Sequence, residues 1–183
     1  MKQEAVATAW SIYESNAGFG LVAASREGLL AHHLPYGLKT RADALEAASM
    51  SHPLAKEGSD LTRAAAVLLE RYFRGEQVDF DLPLDLTGFT PFQQEVYRVV
   101  AAIPYGTVQS YGEVAGACGT PRGARAIGGA MARNRLPIII PCHRVVGASG
   151  VMTGFTAPGG IDSKRELLMM EGVNVAAGGG VIR

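Results

Sequence analysis

Three short apolar runs open the chain, Ala5 to Tyr13, Gly18 to Ala24 and Gly28 to His33, separated by the polar breaks Ser15-Asn16-Ala17-Gly18 and Ser25-Arg26-Glu27-Gly28. Runs of this length bounded by turn residues predict strands, and breaks this short join them as an antiparallel meander. The apolar period then lengthens to that of a helix. Thr40 is placed to cap a helix over Arg41 to Met50, and Ser59 or Asp60 to cap another over Leu61 to Phe73, where Ala65, Leu68, Leu69 and Tyr72 make one stripe. The first part is therefore α+β. The acidic, extended stretch Gly75 to Asp85 closes it, so that residues 1–85 form one domain and a second begins near residue 86.

The second unit starts helical. Thr90-Pro91-Phe92-Gln93 combines a cap, a first-turn proline and a capping-box glutamine, opening a helix with Phe92, Val96, Val99 and Val100 inward, and Ile103-Pro104-Tyr105-Gly106 stops it. Ser110-Tyr111-Gly112-Glu113 is a second capping box; after the turn Cys118-Gly119, Thr120 before Pro121 starts a third helix. Two short helices joined by a glycine-containing turn make a helix-turn-helix pattern. The third helix would hold Gly123, Gly128 and Gly129, each costing about 1 kcal/mol relative to alanine in a helix interior. Close packing of two helices explains such glycines, and so does a smooth face that another polymer approaches with Arg125 standing out of it. Pro137 and Pro141, which cannot donate to a ladder, bracket Ile138 to Ile140 as a short buried strand that delivers Cys142. A glycine-rich loop runs from Gly147 to Gly160. The last helix is expected to start at Asp162 or Ser163, with Ser163-Lys164-Arg165-Glu166 as a capping box, and to stop at Glu171-Gly172. Residues 86–175 form this second domain, and residues 176–183, led by Ala176-Ala177-Gly178-Gly179-Gly180, read as a disordered tail.

The global charge is uninformative, with 17 Lys plus Arg against 17 Asp plus Glu in 183 residues. Its distribution is not. From residue 98 to 144 stand Arg98, Arg122, Arg125, Arg133, Arg135 and Arg144 against Glu113 alone, the footprint of local phosphate contact on a neutral protein. Met1-Lys2-Gln3-Glu4 leads into a mixed segment without a long apolar stretch, and no run approaches the ~18 apolar residues of a membrane span. A cytoplasmic protein is expected, or a nuclear one in a nucleated cell, with no membrane partner. The two cysteines, Cys118 and Cys142, have neither disulfide-framework nor metal-ligand spacing. His32, His33 and His52 lie in a half without cysteine, so no structural zinc and no cofactor are expected.

Cys142-His143 carries the candidate chemistry. A buried cysteine is ordinarily a small hydrophobe, and adjacent side chains diverge on either a strand or a helix, so a thiol and a base at neighbouring positions need a turn, a bridging water, or both. The context sharpens the reading. Pro141-Cys142-His143-Arg144-Val145-Val146, preceded by Ser110-Tyr111-Gly112-Glu113, by Pro121 through Arg125-Ala126-Ile127-Gly128-Gly129-Ala130-Met131, and by Asn134, closely resembles the O6-alkylguanine-DNA alkyltransferases, which repair DNA by direct reversal. The likeness is strong from about Gly88 to Gly172; the amino-terminal half matches by element order only.

That resemblance implies an RNase H-like structural domain followed by a helix-turn-helix domain that binds double-stranded DNA containing O6-alkylguanine through the minor groove, acting as a monomer. It implies that Cys142 accepts the alkyl group once, from O6-alkylguanine and also O4-alkylthymine. His143 would take the thiol proton through an ordered water, and Glu171 would orient and charge that histidine. By the same resemblance Tyr111 rotates the nucleotide and donates to the flipped guanine, Arg125 fills the vacated stack, Asn134 ties helix to active-site turn, and Arg144 supports the site. Val145, Val146, Gly147, Phe155 and Thr156 would line the substrate pocket. One stretch departs from the family pattern Gly-Tyr-x-Gly-Gly: here it reads Gly154-Phe155-Thr156-Ala157-Pro158-Gly159-Gly160, with Phe for Tyr and two extra residues. The loop lines the alkyl pocket in the family, so the departure bears on which alkyl sizes fit. Two other classes compete, a lesion sensor without turnover chemistry and a Cys-His hydrolase. Cys142 argues against the first, since such sensors replace the cysteine, and a helix-turn-helix without use argues against the second.

Overall fold

The computed structural model describes residues 5–176 and 178–182; Met1–Glu4, on which the reading of the amino terminus rests, and Ala177 and Arg183 of the tail lie outside them. The chain divides into two compact units at Gly88/Phe89.

In the first unit, β1 (Ala9–Ser15), β2 (Gly18–Ala24) and β3 (Leu29–His33) form the expected meander. Asn16-Ala17 is the two-residue hairpin loop, closed by the pair Ser15↔Gly18. Gly18 has φ +124°, and a Cβ there would meet Leu38 O at 2.6 Å, so only glycine fits the turn. A fourth strand, β4 (Lys56–Glu57), pairs parallel to β1 and sets the order β3-β2-β1-β4. Sequence reading gives three strands because two exposed charged residues carry no strand pattern; they blunt the sheet edge. Thr40 and Ser59 cap α1 (Arg41–Ser51) and α2 (Asp60–Phe73), each through a reciprocal capping box. The helices cover opposite faces. Trp10, Leu21, Ala23 and Leu30 pack with Ala48 of α1, whereas Ser11 Oγ donates to Thr62 Oγ1 of α2 at 2.8 Å and Tyr13 stacks on Phe73. This is why Leu21 to Ala24 is a continuous apolar run: each of the four is at most 2% exposed.

In the second unit, α3 (Pro91–Ala101) and α4 (Tyr111–Ala117) begin at the capping boxes of Thr90 and Ser110. With α5 (Ala124–Met131) they pack around Val96, Val100, Val114 and Ile127. A two-stranded parallel pair joins β5 (Gln109–Ser110) to β6 (Val145–Val146), and α6 (Gly160–Met170) closes the unit. Among the described residues no helix is long and apolar enough to cross a membrane.

Four local expectations are corrected. The third helix of the helix-turn-helix starts at Ala124, not after Thr120: the Thr120 hydroxyl donates back to Ala115 O, and Gly123 N closes a turn on Thr120 O at 2.7 Å, so Gly123 is the cap and not an interior residue. Ile138 to Ile140 is not a strand. Pro137 and Ile140 bridge across a tight turn in which Ile138 has φ +72°. The last helix begins earlier than Asp162, with Gly159 as N-cap at φ +84°, because the Ser163 hydroxyl is spent on Pro158 O at 2.7 Å. Among the described residues of the tail, Val181 is buried and bridges Val175, so this part is not loose.

Candidate active site

Cys142 is delivered by strain. A β-branched residue in the left-handed region is a genuine outlier, worth about 1–3 kcal/mol, and Ile138 holds it because the surroundings leave no alternative. Its side chain is buried, Ile140 N donates to Leu136 O at 2.8 Å, and Asn134 spans the turn, its Nδ2 donating to Ile140 O at 2.8 Å while its Oδ1 accepts from Leu136 N at 2.9 Å. Beyond Pro141 the chain makes one 3-10 turn, Cys142–Arg144, in which successive side chains diverge by about 120°. His143 therefore points into the core, fully buried, whereas Cys142 keeps 9% exposure.

The core end of this turn is an ionic cluster centred on Glu171, the C-cap of α6. His143 Nε2 lies 2.8 Å from Glu171 Oε1; Arg144 donates to both carboxylate oxygens at 2.9 Å and to Ile103 O at 2.7 Å; Gly106 N donates to Oε2 at 3.2 Å. A carboxylate at a helix C-terminus opposes the helix dipole, and Arg144 supplies the offsetting charge. Burial pushes the Glu171 carboxyl up, but bonds and charge from His143 and Arg144 outweigh it and hold it at about 2. An ionised Glu171 accepts from Nε2, so the neutral imidazole carries its proton there and Nδ1 is its basic nitrogen. Burial lowers the His143 pKa against the pull of Glu171, and burial raises the Cys142 thiol against the Asn134 amide and the Lys164 charge. The resting pair is thus thiol and neutral imidazole.

Lys164 is the member sequence reading misses. It is fully buried, its Nζ donating to Val145 O at 2.6 Å and, more weakly, to Thr153 O at 3.4 Å, and burial lowers its pKa to about 8. Its place in the expected Ser163 capping box hides it. The available signal is spacing, since Lys164, Leu167, Leu168 and Glu171 fall at i, i+3, i+4 and i+7 on the inward face.

Around this centre the other predicted residues divide. Tyr111, first residue of α4, donates to Thr153 O at 3.2 Å. Val145 and Val146 bury their side chains in β6, so they can meet a ligand only through backbone, and the Val145 carbonyl already accepts from Lys164. Gly147 and Phe155 are half-buried, and Thr156 is exposed. Arg125 stands exposed on α5. A Cβ at Gly129 would meet nothing within 4 Å, and one at Gly128 only the Tyr111 ring at 4.0 Å. Packing within the protein does not require these glycines. Gly129→Ala should therefore stabilise the protein by about 0.5–1 kcal/mol in a denaturant titration, and should weaken nucleic-acid binding if a backbone approaches this face. Within the first unit, His32 Nε2 pairs with Tyr13 Oη at 2.7 Å, and no group of three His, Cys, Asp or Glu among the described residues is disposed to hold a metal.

The family model of the 6-O-methylguanine DNA methyltransferase DNA-binding domain matches residues 91–173. A methylated-DNA--protein-cysteine methyltransferase of Methanosarcina acetivorans is 39% identical over 163 residues, covering 89% of this chain and 97% of that protein. This chain belongs to that methyltransferase family. Relatives of the same name from Mycobacterium tuberculosis are 52% identical over 103 residues, an alignment spanning 56% of this chain and 61% of theirs. The structure is similar to that of M. tuberculosis OGT in complex with DNA (TM-score 0.71, 37% identity, 90% of this chain and 92% of that one). It is also similar to the O6-methylguanine-DNA methyltransferase of Pyrococcus kodakaraensis (TM-score 0.64, 27% identity, 90% and 99%).

Proposed function

We propose that this protein repairs DNA by direct reversal, moving the alkyl group of O6-alkylguanine, and of O4-alkylthymine, onto its own Cys142. The observation that carries this is the geometry of one turn: a largely buried thiol, the next residue a fully buried imidazole, and behind it an ionised carboxylate locked by Arg144. Sulfur attacks the alkyl carbon, the carbon–oxygen bond breaks, and guanine leaves with the electron pair. The thiol proton passes through a water to Nδ1 of His143 and on to the departing guanine. Since thiol and imidazole both rest neutral, imidazolium arises only as the thiolate forms, and Glu171 stabilises it at that moment. Asn134 and Lys164 stabilise the thiolate, and no cofactor is required.

The target atom lies within the duplex, so the nucleotide is flipped out. In this reading residues 86–175 bind the minor groove with α4 and α5, Tyr111 rotates the nucleotide and donates to guanine, Arg125 takes its place in the stack, and Gly147, Phe155, Thr156 and the backbone of Val145 and Val146 line the pocket. Residues 1–85 serve as an RNase H-like structural domain. The protein works as a monomer in the cytoplasm, or in a nucleus, where a free thiol survives.

Arg125→Ala should slow repair of duplex DNA far more than reaction with free O6-benzylguanine, which carries no unstacking cost of a few kcal/mol. Equal slowing on both substrates would remove Arg125 from the stack-filling role. The reaction itself is tested by titrating protein with excess O6-methylguanine duplex. A thioether has no ordinary route back to thiol, so one alkyl group per molecule is expected; tight binding without transfer would indicate a sensor, and multiple turnover a hydrolase.

A further inference from the structure

The last described residues fold back onto the second unit. Val175 and Val181 form an antiparallel bridge, Ala176 N donates to Gly180 O at 2.8 Å, and Ile182 N donates to Asn174 O at 2.9 Å, making a narrow arch. Its returning limb is stitched to the turn that follows β6: Val181 N donates to Gly150 O at 2.8 Å, Val151 bridges Gly180, and Gly147 N closes that turn on Val151 O at 2.8 Å. The Val181 side chain is buried among Val146, Met152 and Leu168. Gly150, at φ +77°, approaches the arch so closely that a Cβ would collide with the Val181 carbonyl. These bonds hold residues 147–151, and Met152, packed in the same cluster as Val181, leads from them to the carbonyl of Thr153. That carbonyl accepts from the Tyr111 hydroxyl and from Lys164 Nζ.

We propose that Val181 is a positioning residue for the nucleobase pocket: the arch it anchors seats residues 147–153, so that the Thr153 carbonyl holds the Tyr111 ring in the orientation from which its hydroxyl is handed to a flipped base. Preorganisation of this kind is worth rate, because a displacement of about 1 Å in a positioning group can cost a hundredfold. The inference rests on the alkyl-transfer reading.

The test is a double-mutant cycle in the full chain. Val181→Ser, the milder Val181→Ala, and Gly150→Ala are each measured for single-turnover reaction with free O6-benzylguanine, alone and combined with Tyr111→Phe, at a temperature well below unfolding. Val181→Ser is expected to slow the reaction by about tenfold with Tyr111 present, the other two to act in the same sense, and the same substitution to change the rate by less than about twofold in the Tyr111→Phe background. Alkylation of Cys142 by iodoacetamide should stay at the unsubstituted rate in the Val181 and Gly150 single variants. An equal loss in both backgrounds, or full activity of Val181→Ser, would overturn the role. Absence of transfer by the unsubstituted chain would overturn the alkyl-transfer reading and this one with it, an outcome recognisable because no variant need be made.

Discussion

Cys142→Ser should transfer no measurable alkyl group while still binding duplex DNA that carries O6-methylguanine with nearly unchanged affinity. Chemistry and affinity reside on different atoms. Serine keeps the shape of the turn and its bond from Asn134, but its hydroxyl is a far weaker nucleophile than a thiol whose proton is drawn off as it attacks. On the alkyl-transfer reading affinity comes from phosphate contact, for which Arg122 and Arg133 stand exposed on either side of α5. Cys142→Ala should behave alike, and Cys118→Ser should remain active, since Cys118 lies at the end of α4 away from the ionic cluster. Residual transfer by Cys142→Ala comparable to the unsubstituted protein would remove Cys142 as acceptor.

The second large effect is one of stability and rate together. Glu171→Gln keeps the side-chain shape but leaves the Arg144 guanidinium, 8% exposed, without its carboxylate. Breaking a buried ion pair from one side costs about 3–5 kcal/mol, so a loss of that order is expected in chemical denaturation. Transfer should slow beyond what stability explains, because imidazolium loses its counter-charge. The pH dependence follows from the same group. Glu171 is held at about 2 in the folded protein, below the 4.5 of a free carboxyl, so the unfolded chain binds its proton first as acid is added. Its stabilisation is complete above pH ~4.5 and lost as pH falls toward ~2. Glu171→Gln should therefore flatten the acid limb of the stability profile; an unchanged limb would mean that the carboxylate contributes little to folding.

Local chemistry makes the helix starts at Thr90 and Ser110 legible, because a capping box is written in four consecutive residues, and it marks Thr40, and Ser59 or Asp60, as caps. The meander is equally plain, since each of its strands is a run bounded by turn residues. What escapes pattern depends on partners distant in sequence. Ile138-Ile139-Ile140 has the composition of a strand, yet Asn134 and two prolines fold it into a turn, a tertiary demand that overrides propensity. Nothing local links His143 to Glu171, 28 positions apart; only the resemblance supplies that pairing. Lys164 looks like a surface lysine until its carbonyl partners are seen. The glycine-rich tail looks unstructured because its one anchoring residue, Val181, finds its partners at Gly150, Val146, Met152 and Leu168, all distant in sequence.

On the alkyl-transfer reading a single atom, Cys142 Sγ, is the acceptor. Peptide-mapped mass spectrometry after incubation with a duplex bearing a single O6-methylguanine tests it most directly. One methyl group is expected on the peptide containing Cys142, in stoichiometric yield, with unmodified guanine recovered in the DNA. A methyl group on Cys118, or restored guanine with Cys142 still a free thiol, would contradict it.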